Sequence, residues 1–311
     1  MTYQRPRRSA IPAPPAVPTD QTRRSFLKTA AIASLTPVAV VSTPLATAAA
    51  ETTNETADQI VPCQLAVKSH MIRGEFSPSE KISIVKRAGF DGVELSMRDS
   101  DDIDEWMRAA EKTGIVLHGL THGTSDDYEA PLRMCKAIGG DAVLVIARED
   151  PEKSYDENFA AAQEIVRVHL PLADKLQVRL LIENVRASFL KTAEEMARFI
   201  DSLDSGLVGA YYDTGNTITW TEQSAEHWAR VLGKRIAKMD IKDRGHATFG
   251  DPPRKRPGVT GTDGGEVHWR NVRNELSKIG FHGWATAEVT GGDEEHLTQM
   301  CQWMRNVLAM S

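Results

Sequence analysis

From residue 61 onward the chain alternates short apolar runs with longer amphipathic stretches. The apolar runs are QLAVKS (64–69), GVELS (92–96), IVLHGL (115–120), AVLVIA (142–147), VRLLIEN (178–184), LVGAYYD (207–213), RIAKMDI (235–241) and GWATAEV (283–289). Short apolar runs of this kind, between helix-like stretches, predict strands. Between and after them, apolar residues recur at helical spacing over 77–89, 102–114, 127–140, 153–177, 192–203, 224–233, 267–280 and 293–309. The first of these helices marks its own ends. Ser77 and Glu80 make a capping box, Pro78 suits the first turn, and Gly89 stops the helix. Pro171 should kink or split the helix over 153–177, because it lacks a backbone N–H.

Eight strands, each followed by a helix, argue a parallel sheet. That many units in about 250 residues predict an α/β fold of the (β/α)8 TIM-barrel kind, occupying 61–311. An open, doubly wound sheet is the weaker alternative, since no glycine-rich phosphate loop follows the first strand.

The N-terminal residues break the pattern. TRRSFLK (22–28) leads into the apolar TAAIASLTPVAVV and then the small-residue STPLATAAAE. A basic region, an apolar region and a small-residue cleavage site predict an export signal. Paired Arg23 and Arg24 before Phe26, Leu27 and Lys28 give it twin-arginine character over 1–50. Cleavage is expected near Ala48 to Glu51, ahead of a flexible polar segment at 51–60, with the mature protein periplasmic or otherwise extracytoplasmic. Cys63, Cys135 and Cys301 are odd in number and lack CxxC spacing, so no disulfide framework is expected. The net charge of −6 argues against a nucleic-acid partner. No uninterrupted apolar run of 18 residues exists, so no membrane span is expected.

Active sites of such barrels lie at the C-terminal ends of the strands. There the chain places Glu183, Asp213, Asp240 and Glu288 at the ends of strands five to eight. Carboxylates gathered on one arc of a barrel mouth repel one another, and desolvation adds to the cost. A divalent cation resolves it, and an all-oxygen set suits Mg2+, Mn2+ or Co2+ better than Zn2+. One such ion is the expected cofactor. The competing reading is that one or two of these acids merely cap helices or start loops.

LLIENV, YYDTGN, KMDIKD and ATAEV, in this order, together with GFDGVEL (89–95), resemble the xylose isomerase-like barrel superfamily, nearest its sugar phosphate isomerase/epimerase branch. The resemblance covers about residues 64–309. It implies one divalent metal held by Glu183, Asp213, Glu288 and a strand-seven residue. It also implies that Glu183 and Glu288 act as acid and base on opposite sides of a sugar, keto-sugar or polyol, through an enediolate.

Two positions depart from the family pattern. Asn216 stands where a His often follows the strand-six Asp, and Asp240 stands in place of the strand-seven His. Four acids against one divalent ion require compensation. Lys242 or Lys238 could supply it, His246 could add an imidazole, or Asp240 could stand behind the ligands. Asn216, Lys242, Arg244, His118, His122, Glu94 and His246 are the candidate substrate-binding residues. Arg254, Lys255 and Arg256, in the long loop 243–265, could meet an anionic substrate.

The expected activity is isomerisation or epimerisation of a small carbohydrate. A lyase or dehydratase acting on a keto-sugar or keto-inositol would use the same carboxylates. A sugar-binding barrel without activity is the non-enzyme alternative. The related abasic-site endonucleases need more histidines and a basic face. A homo-oligomer is compatible with the sequence.

Overall fold

The computed structural model describes residues 61–123, 125–244, 250–251 and 265–310. The expected export signal and the segment carrying His246, Arg254, Lys255 and Arg256 lie outside the described residues.

Eight parallel strands close into a barrel in consecutive order. They are β1 (Gln64–Lys68), β2 (Gly92–Ser96), β3 (Val116–Thr121), β4 (Ala142–Val145), β5 (Arg179–Glu183), β6 (Val208–Asp213), β7 (Ile236–Ile241) and β8 (Trp284–Ala287). The helices are α1 (Pro78–Ala88), α2 (Ile103–Thr113), α3 (Glu129–Ala137), α4 (Tyr155–Leu176), α5 (Ala193–Asp201), α6 (Thr214–Trp220), α7 (Ala225–Leu232), α8 (Trp269–Lys278) and α9 (Glu294–Val307). The (β/α)8 architecture expected from the alternation is therefore the architecture present. No described helix is long and apolar enough to cross a membrane.

Strand periodicity divides the core in two. Outward residues such as Leu65, Val67, Val93, Leu95, Leu180 and Ile182 pack under the helices. Inward residues Ala142, Leu144, Leu181 and Tyr211 fill the barrel itself. A register shift in β3 against β2 passes over His118, and another in β7 against β6 passes over Ala237. Such irregularities re-aim side chains. Below the mouth they accompany an unusual polar layer. Lys238 Nζ bonds the His118 carbonyl at 2.6 Å and pairs with Asp141 Oδ1 at 2.6 Å.

Local sequence sets the helix starts. Ser77, Ser154 and Thr192 each form a full capping box, with Glu80, Glu157 and Glu195. Pro171 does not split its helix, which runs unbroken from Tyr155 to Leu176. Tertiary packing overrides a single unfavourable residue in a long amphipathic helix.

The chain leaves β7 through Asp243, which is 1 % exposed. Its Oδ1 accepts from the backbone N–H groups of Arg244 (2.6 Å), Glu266 (2.9 Å) and Val267 (3.0 Å). Its Oδ2 accepts from Trp269 Nε1 at 3.0 Å. One carboxylate thus ties both ends of a long excursion to the start of α8. Gly265 permits the closure, because a Cβ there would lie 2.0 Å from Asp243 Oδ2. Replacing Asp243 by Ala strands several buried donors at once. The Asp243→Ala protein should lose about 3 kcal/mol or more of unfolding free energy in urea titration. A loss below about 0.5 kcal/mol, the level of an ordinary surface change, would remove this carboxylate from its anchoring role.

Candidate functional site

Glu183, Asp213, Asp240 and Glu288 converge at the C-terminal mouth of the barrel. One oxygen from each lies within 4.8 Å of the others. Glu183, Asp213 and Asp240 are buried, while the Glu288 side chain keeps 26 % of its surface exposed. At an effective dielectric of about 20, two carboxylates 4.8 Å apart repel by roughly 3.5 kcal/mol when both are ionised. The site therefore needs internal positive charge.

Two lysines supply it. Lys68, the last residue of β1, is 1 % exposed. Its Nζ donates to Asp240 Oδ2 at 2.9 Å and Glu288 Oε1 at 3.0 Å, with Glu94 Oε2 at 3.7 Å. Lys242 Nζ lies 3.0 Å from Asp213 Oδ2 and 3.1 Å from Glu288 Oε2, close enough to pair charges without hydrogen-bond alignment. The compensation expected for Asp240 from Lys242 or Lys238 comes instead from Lys68, across the barrel. Lys242 serves Asp213 and Glu288, and Lys238 points into the lower polar layer.

These contacts separate the protonation preferences of the acids. Burial, then the charge of Glu288, pushes Glu183 up to about 8. Burial pushes Asp213 up to about 7, with Lys242 offsetting part of the rise and Glu288 adding to it. Asp240 rises well above the carboxylate range through burial, although Lys68 pulls against it. Burial also works upward on Glu288, but Lys68 and Lys242 outweigh it and hold this carboxyl well below its ordinary range. Lys68 and Lys242 are raised in turn, as the neighbouring acids overcome the desolvation of their ammonium groups.

Backbone geometry fixes the constellation. Asp213 ends β6 and caps α6, its Oδ1 accepting from Asn216 N at 2.8 Å while Oδ2 faces the cluster. Capping and site membership coexist because the two oxygens take different tasks. Asn184 clamps the same residue, accepting from Asp213 N and donating to Asp213 O, both at 2.8 Å. Thr214 Oγ1 holds the Lys242 backbone from both sides, and the Lys242 stem crosses Gly215, where a Cβ would meet Lys242 Cγ at 2.6 Å. Asn216 Nδ2 donates to Glu183 Oε1 at 3.1 Å, and its Oδ1 accepts from Lys242 Nζ at 3.2 Å.

The remaining candidates divide. Glu94 faces the cluster through Lys68 and accepts from Thr121 Oγ1 at 2.9 Å. His118 is 2 % exposed and stacks on Trp284 with ring centroids 4.5 Å apart. Both of its ring nitrogens are engaged, Nδ1 with Lys238 and Nε2 with Thr286. Burial and Lys238 hold it neutral, and its contacts are those of a packing residue inside the barrel. His122 is 5 % exposed and contacts Ser125 and Tyr128. Arg244 Nε donates to Thr219 Oγ1 at 3.1 Å. Lys68 and Asn184 join the site from positions that the sequence analysis does not single out. The signal for Lys68 was a lysine closing an otherwise apolar first strand.

Several solved structures share the fold. D-psicose 3-epimerase with D-tagatose, from Clostridium cellulolyticum H10, is 18 % identical over 79 % of this chain and 99 % of its own, with a TM-score of 0.64. The 3-keto-D-glucoside 4-epimerase of E. coli is 17 % identical over 78 % and 99 %, with a TM-score of 0.61. The IOLI protein with a binding zinc atom is 13 % identical over 79 % and 98 %, with a TM-score of 0.64. At these identities the likeness is one of fold. No curated protein matches the chain at the level of significance required. Residues 82–307, most of the barrel, match the family model for the xylose isomerase-like TIM barrel, and the chain belongs to that family.

Proposed function

We propose that the protein is a divalent-metal-dependent isomerase or epimerase of a sugar, keto-sugar or polyol. The observation that carries this reading is a set of buried oxygens without hydrogen-bond donors: Asp213 Oδ2, Asp240 Oδ1 and Glu288 Oε2. Under-satisfied buried carboxylate oxygens are costly: Asp240 Oδ1 has no partner, Asp213 Oδ2 and Glu288 Oε2 meet only the unaligned ammonium of Lys242, and these three acids converge with Glu183 within 4.8 Å. An all-carboxylate donor set of this geometry fits a hard divalent cation such as Mn2+, Mg2+ or Co2+ better than Zn2+. Glu183, Asp213, Asp240 and Glu288 would hold it. When bound, the ion supplies Lewis-acid polarisation of substrate oxygens. The sugar epimerases that share this fold support a carbohydrate substrate.

The acid–base work falls to the two glutamates. Glu183 and Glu288 stand on β5 and just beyond β8, with β6 and β7 between them. They can reach a bound substrate from different sides. One of the two carboxylates takes a proton from a carbon beside a carbonyl, and the other returns one. Return to the opposite face inverts the centre, and return to the neighbouring carbon moves the carbonyl. Asn216 orients Glu183 through the 3.1 Å bond.

The test is proton exchange at carbon, followed by NMR in deuterated water over a panel of ketoses with added Mn2+. Glu183→Gln or Glu288→Gln should lower the exchange rate by about 10²–10⁴-fold. Exchange at the wild-type rate in both variants would defeat the assignment, and loss of water in place of exchange would move the protein to the lyases.

The same charge balance makes a prediction about stability. Lys68→Met removes a buried ammonium and leaves Asp240 Oδ2 without its partner. With divalent metal stripped by chelator, the variant should unfold about 3 kcal/mol more easily than wild type, and added Mn2+ should recover part of the difference. Equal stability of the two proteins under both conditions would show that Lys68 is not the counter-charge.

The paired Arg23 and Arg24 in TRRSFLK support twin-arginine export of the chain. Replacing both by Lys should retain the protein in the cytoplasmic fraction, and undiminished export would count against the route.

A further inference from the structure

Beside the carboxylate cluster lies a second polar feature that the proton transfer does not use. A cavity of about 220 Å³ opens between the end of β5 and α6, lined among others by Val185, Arg186, Leu190, Lys191, Asn216 and Trp220. The Arg186 guanidinium sits over the Trp220 ring, 5.1 Å from its centroid. Trp220 Nε1 donates to Asn216 Oδ1 at 3.2 Å, and Asn216 Nδ2 donates to Glu183 Oε1 at 3.1 Å. Two hydrogen bonds therefore link the ring under the guanidinium to a carboxylate of the site.

The charge state of this wall is distinctive. Lys191 is already committed, its Nζ bonding Glu149 Oε2 at 2.8 Å and the carbonyls of Arg186 and Ser188. Arg186 is exposed and has no carboxylate partner among the described residues, in a chain with 43 acidic side chains. Stacking on an indole fixes the plane of a guanidinium and leaves its N–H edge free to grip an anion with two parallel bonds. The cavity is smaller than the roughly 300–1,000 Å³ of a site for a whole drug-sized ligand. It has room for a substituent of a substrate whose reacting carbons lie at the carboxylates.

We propose that Arg186 and Trp220 form an anion subsite, and that the substrate is a sugar derivative bearing a carboxylate or a phosphate away from its reacting carbons. This deepens the isomerase or epimerase reading and rests on it. The acid cluster repels a negative substituent, so an anionic substrate gains a fixed orientation: its charge goes to Arg186 and its neutral carbons to Glu183 and Glu288.

The experiment is calorimetric titration of the full chain, with Mn2+ present, by three probes of related skeleton: D-fructose, D-fructuronate and D-fructose 6-phosphate. At least one anionic probe should bind tenfold or more tightly than D-fructose. Arg186→Met should abolish that preference while leaving D-fructose binding unchanged, and Arg186→Glu should reverse it. Which anionic probe is preferred decides between carboxylate and phosphate. Equal affinity for charged and neutral probes, a preference that survives Arg186→Met, or binding of none of the three overturns the proposal. Carbon-proton exchange on neutral ketoses that persists in Arg186→Met would leave the isomerase reading standing when this one falls.

Discussion

Like charges held apart by less than 5 Å in a buried place are the constraint around which the barrel mouth is organised. Glu183, Asp213, Asp240 and Glu288 cannot all be ionised there without cations, and Glu94 adds to the burden. Lys68, on β1 beside the arc of acids, and Lys242, just past β7 within it, answer part of it. The acids still outnumber the lysines, and the surplus appears as an unpartnered Asp240 oxygen and raised carboxyl groups. A hard divalent cation is the simplest group that would relieve both. Glu288 is the exception that makes the site asymmetric, because it touches both lysines, which hold its carboxyl well below its ordinary range.

The scaffold converts this charge problem into a defined geometry. Asp213 gives one oxygen to the start of α6 and the other to the cluster, so the helix cannot shift without moving the carboxylate. Asn184 and Thr214 tie the backbones of β5, β6 and the end of β7 together immediately behind the acids. Below them the barrel interior is unusually polar, with His118, Thr286, Tyr211 and Lys238 joined by hydrogen bonds. Such a layer is rigid when its members are satisfied, and it forms the floor on which the acid cluster rests.

Much of this was legible in the chain. The strand and helix pattern placed every barrel strand within a few residues, because period-2 and period-3.6 burial leave their mark locally. The capping boxes at Ser77, Ser154 and Thr192 mark where helices begin, since their donors and acceptors lie within four residues. That four strand ends carry acids is also plain from the sequence once a barrel is supposed. The partners of those acids were not legible. Lys238 and Lys242 flank Asp240 in the chain and share its strand face, yet neither is its partner.

What the sequence by itself determined is the order of elements, the side of each strand that faces inward, and the residue type at each strand end. These follow from local periodicity and local capping. What only the tertiary structure decided is which groups meet across the barrel. Lys68 is 172 residues from Asp240, and 220 from Glu288. Their meeting depends on closure of β1 against β8, on the stagger of the strands, and on two register shifts that re-aim neighbouring side chains. Through-space electrostatics has no period along the chain. For that reason the charge balance of this mouth, and the place of Arg186 beside it, emerge only when the barrel is closed.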